Sequence, residues 1–171
     1  MFTEKKFLLV SVPIRNNEYY FRYRHNIIYV YNIMNHFILV ISSLFLLTSL
    51  FFINFIPTKL NYFELSLTSL LVINVILSIL FWSEPIKGSS VHYYDAIFAR
   101  ISLVLFSLYI WFVKKTTTMI RATYTLVLSA SLLFIYFSNV FSQKKWCSSN
   151  HIICHFMFHV FISIGTIFAF V

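Results

Sequence analysis

Charge is scarce in this chain of 171 residues: only 11% are Asp, Glu, Lys or Arg, against about 25% in ordinary soluble domains. Hydrophobic residues make up 60% and the mean hydropathy is +0.82. A soluble fold of this size leaves roughly a third of its chain surface in water, so this much apolar surface has no interior to fill and must face lipid. Acidic residues are the scarcest charges, 5 against 13 Lys and Arg, for a net +8. Such a balance can signal nucleic acid, but here the cations sit in short segments between apolar runs, so no nucleic-acid partner is expected.

Glycine and proline are nearly absent, at 2 and 3 residues. Gly88 and Gly165 are too far apart for a Gly-x-x-x-Gly crossing, so close helix approach must come from other small residues. Cysteine is limited to Cys147 and Cys154. Two cysteines exclude a disulfide framework, and seven helical positions would hold them about 10 Å apart, as free thiols. The first apolar stretch, Phe7 to Val12, is stopped by Pro13 without a small-residue cleavage site, so a retained N-terminus is expected.

What the chain does have is aromatic residues, 21 Phe and 11 Tyr, and long apolar runs. A hydrocarbon core of about 30 Å needs roughly 20 helical residues. Five runs qualify, at 36–56, 65–83, 94–113, 120–141 and 152–171. They predict an all-α, multi-pass transmembrane helical bundle of about five spans, because continuous runs lack the alternation of barrel strands. Ahead of it, residues 1–35 form a basic and aromatic segment. There Tyr20, Tyr23, Ile27 and Tyr31 share a helical face, which predicts a helix lying in the headgroup layer. The distribution of Lys and Arg between the two ends of the bundle places the N-terminus on the cytoplasmic or matrix side.

Polar residues inside such spans are expensive and therefore informative. The run HIICHFMFHVFIS aligns His151, His155, His159 and Ser163 at i, i+4 steps on one helix face. With Asn150 at the membrane boundary, His155 lies roughly 7 Å deep and His159 roughly 13 Å deep, near the midplane. Imidazoles four residues apart can converge on a metal ion, or they can hydrogen-bond to neighbouring helices. Ser78 on the second span is expected at a depth similar to His155. Asp95 is placed in the first turn of the third span, where it either caps the helix or orients a histidine.

Ser78, Asp95 and His155-x-x-x-His159 together resemble the residue set of the membrane hydrolase superfamily of alkaline ceramidases and progestin/adipoQ receptors. The resemblance covers four positions in three segments. It implies a zinc ion held by His155, His159 and a third histidine, with Asp95 and Ser78 as the catalytic companions. In that family the third histidine stands four residues after the serine, a place that Trp82 takes here, so His151, or alternatively His92 or His36, would have to serve. The implied activity is hydrolysis of a lipid amide by metal-activated water.

Three functions therefore compete. The leading one is a non-catalytic membrane component or assembly subunit, partnered by the bilayer and by other membrane subunits or its own copies. The others are a zinc-dependent intramembrane hydrolase and a small proton or metal-ion transporter whose path follows the histidine stripe.

Overall fold

The computed structural model describes residues 11–14, 18–23, 26–29, 33–52 and 62–171. The chain divides into two compact units, 1–33 and 34–171. In the first, β1 (Ser11–Ile14), β2 (Glu18–Tyr23) and β3 (Asn26–Tyr29) pair as an antiparallel meander in the order β1-β2-β3. The register sets Val12 opposite Tyr20 and Tyr20 opposite Tyr29. The helix expected over 18–32 is thus replaced by strands. Tyr, Phe and Ile suit a pleated surface better than a helix, and Pro13 is tolerated because β1 is an edge strand. The retained N-terminus expected from residues 7–12 falls largely outside the described residues.

The second unit is a helical bundle. It begins with α1 (Ile33–Phe45), which tightens into a 3-10 segment, Leu46–Phe52. The hydroxyls of Ser42, Thr48 and Ser49 each donate to the carbonyl three residues back, and this back-bonding favours a narrower winding. Then come α2 (Tyr62–Ser83), α3 (Ser90–Leu108, continued by a π-helical turn, Tyr109–Val113), α4 (Thr118–Lys144) and α5 (Ser149–Phe170). The four segments Tyr62–Ser83, Ser90–Val113, Thr118–Lys144 and Ser149–Phe170 are long and apolar enough to cross a membrane, and His36–Phe52 is a shorter apolar helix. Each long helix starts two to four residues before the expected boundary. The expected first span, 36–56, runs past residue 52 into residues outside the described set.

Local chemistry explains the ends. Glu84 and Pro85 follow α2, and a residue before proline avoids helical geometry. Gly88 takes a left-handed φ of 81°, which turns the chain into α3. Ser89, Thr117 and Ser148 are N-caps, their hydroxyls accepting from the backbone N–H of His92, Ile120 and His151.

Packing is inverted relative to a soluble protein. Ser42, Ser43, Ser49 and Ser131 are fully buried, whereas Phe51 is 88% exposed and Leu126 72%. Small polar residues inside and large apolar ones outside are what lipid as solvent selects. One apolar cluster joins Leu46, Leu71, Phe106, Tyr124 and Phe170; a second, at the end where α2 leads into α3, joins Leu39, Phe81, Trp82 and Ile152. Within the bundle α2 packs on α3 and α4 on α5, with the 3-10 segment against α5 and α2.

Candidate functional site

The polar residues gather around a cavity of about 410 Å³ enclosed by α2, α3, α4 and α5. Ser78, Asp95, His92, His151, His155 and His159 all line it. The six residues singled out from sequence thus come to one place, and the three histidines of α5 do form a file, with ring centroids 6.0 Å apart for His151 and His155 and 4.9 Å for His155 and His159.

Their hydrogen bonds decide what they can do. Ser42 Oγ on α1 lies 3.0 Å from the Leu39 carbonyl and 2.7 Å from His159 Nδ1, and the proton of the second bond can come from the hydroxyl or from the ring. The Cys147 backbone N–H donates to His151 Nδ1 (3.2 Å), and that of Gly88 to His92 Nδ1 (3.1 Å). In these two rings the proton is on Nε2. His155 Nδ1 meets Ser138 Oγ of α4 at 3.1 Å.

This arrangement does not support the zinc expectation. A metal needs a lone pair from each imidazole, and His151 and His92 have spent theirs on backbone donors. Among the described residues, no three His, Cys, Asp or Glu side chains form a metal-holding group. His36, the other substitute for a third ligand, has a buried Nδ1 without a partner and does not line the cavity.

Asp95 is also relocated. Because α3 starts at Ser90, Asp95 is its sixth residue, and the capping is done by Ser89. It lines the cavity without a hydrogen-bond or ion-pair partner among the described residues. Ser78 has no histidine partner; its Oγ lies 2.8 Å from Ser43 Oγ, either hydroxyl serving as donor, and Ser43 Oγ also lies 2.8 Å from the Leu39 carbonyl. Cys147 and Cys154 are free thiols as expected, but Cys147 precedes α5, in the turn with a φ of 54°.

Sequence reasoning missed Ser42, Ser43 and Ser138, which complete the histidine and serine bonds. It also missed Ser102, which accepts from Asn74 Nδ2 across α2 and α3. A serine in an apolar helix is too common to stand out, and only the facing histidine or asparagine gives it meaning. Trp82, which stands where the third histidine was expected, is 1% exposed, stacks with Trp146 at 6.3 Å and lies 4.8 Å from His155.

No family model matches the sequence, and no curated protein and no solved structure matches it either.

Proposed function

We propose that this chain is a non-catalytic multi-pass membrane component with five spans, whose buried polar stripe holds its own helices together. The observation that carries this reading is the use to which the stripe is put: His159 bonds α5 to α1, His155 bonds α5 to α4, Ser78 bonds α2 to α1 and Asn74 bonds α2 to α3. In lipid, where apolar contacts alone give helices little reason to associate, such bonds fix register.

The first helix fits a span. Its 13 α-helical residues rise about 20 Å and the seven of the 3-10 segment about 14 Å, together comparable to the hydrocarbon thickness.

Replacing His159 with Leu tests the reading. We expect a loss of about 1–2 kcal/mol in unfolding from detergent micelles, with zinc content the same as wild type. A variant of undiminished stability, or a wild-type protein that carries stoichiometric zinc lost on substitution, would overturn it.

A further inference from the structure

The helix-locking role leaves the cavity itself unexplained, and three features of its lining point to a ligand. Arg100, an exposed residue that also contributes to the lining, lies roughly 15 Å along α3 from Ser90 and has no hydrogen-bond or ion-pair partner among the described residues. A cation inside a span ordinarily faces a counter-charge or water. Two further polar atoms on residues of the same lining are buried without a partner among the described residues: Asn74 Oδ1 and the Trp82 Nε1–H. Buried polar groups are nearly always satisfied, so orphans beside a cavity mark groups that await one. Leu46, Leu71, Phe106 and Ile162 give the lining an apolar portion beside the polar residues already described and Lys87.

The cavity also has a neighbour on the outside. Between α3 and α4 lies an open apolar groove of about 240 Å³, lined by Leu103, Val104, Trp111 and Leu132 among others. It shares Leu103, Leu128 and Leu132 with the cavity. Leu103 and Val104 follow Arg100 by one turn of α3. Here α3 and α4 touch little, Ser107 Oγ and Tyr124 OH at 2.8 Å being a cross-link near its far end.

We propose that the cavity binds a single-chain amphiphile with an anionic head, a carboxylate or phosphate taken by Arg100, its chain lying in the apolar half and reaching the bilayer through the α3–α4 groove. The guanidinium fork matches two oxygens of either head. Asp95 does not compete for the same place, since it sits about 7.5 Å nearer the start of α3. A volume of about 410 Å³ lies within the range of small-ligand pockets, roughly 300–1,000 Å³. This proposal stands apart from the helix-locking role, and either can fail alone.

The test is a titration of the full chain in detergent, read by native mass spectrometry, with dodecyl phosphate, dodecanoate, uncharged monolaurin and inorganic phosphate. We expect at least one of the two anionic amphiphiles to bind saturably and at least tenfold more tightly than monolaurin; the two arms identify the head. Inorganic phosphate should not displace it. Arg100→Gln should bring the anionic probe down to the monolaurin level, and Ala99→Phe, which fills the cavity, should weaken every chain-bearing probe at least tenfold, in variants that elute as folded protein. Equal binding of monolaurin and both anions, competition by inorganic phosphate alone, or an Arg100→Gln protein that binds as wild type would overturn it. Should Ala99→Phe not fold, Arg100→Gln and the head-group comparison decide the matter.

Discussion

Single side chains outside the spans show how burial alone sets chemistry. The Cys147 thiol, in the turn before α5, is pushed by burial up to about 12 from an ordinary 9.0. Its reactive thiolate is correspondingly rare at neutral pH. In a Cys154→Ser background, we expect maleimide labelling of folded protein at pH 8 to be at least tenfold slower than of denatured protein; equal rates would show an accessible thiol. The linkage has a definite sign. An acid with a raised folded pKa ionises first in the unfolded chain, so its contribution to stability is intact below pH 9 and declines between pH 9 and 12. Lys114, at the other end of the bundle, is held below its ordinary value by burial, with Glu64 opposing. It donates to the Ala169 and Phe168 carbonyls at 2.8 and 3.4 Å, a cation on orphan acceptors in the last turn of α5. Lys114→Met should lower stability by about 0.5–1.5 kcal/mol in thermal melts.

Helix caps act on whole elements. Ser148 begins α5 and so sets the phase of the histidine file, since its hydroxyl accepts from the N–H of His151. Ser148→Ala should cost about 1 kcal/mol and raise amide exchange in the first turn of α5 ahead of its middle; uniform exchange along the helix would contradict this. The four long helices were legible as apolar runs, and their starts were placed late because Ser89, Thr117 and Ser148 look like loop residues until a cap is recognised. The i, i+4 histidines were equally legible, because spacing on one helix is written in the chain. Their partners were not, for Ser42 is 117 positions from His159 and nothing local pairs them. The strand region failed for a related reason. A segment such as EYYFRY carries aromatic residues that fit either period, and pairing between strands decides.

For the whole molecule, the five spans proposed above would put the two ends of the chain on opposite faces of the bilayer. Reporter fusions at each end should therefore report different compartments, and matching ones would reduce the count to an even number. The two helical hairpins are also fastened to each other at one end. The Trp146 indole N–H donates to the Pro85 carbonyl at 2.8 Å, and Lys87 Nζ to the Ser142 carbonyl at 3.1 Å while lying 5.4 Å from the Trp146 ring. At the opposite end α3 and α4 are joined by residues 114–117 and by the Ser107–Tyr124 bond, and the groove opens between them. The bundle is thus built like a hinged clasp, shut at the turns after α2 and α4 and loosest along the α3–α4 seam. A chain severed within 114–117 and expressed as two pieces would still find its mate, because the stitches that recognise it lie at the far end from the cut.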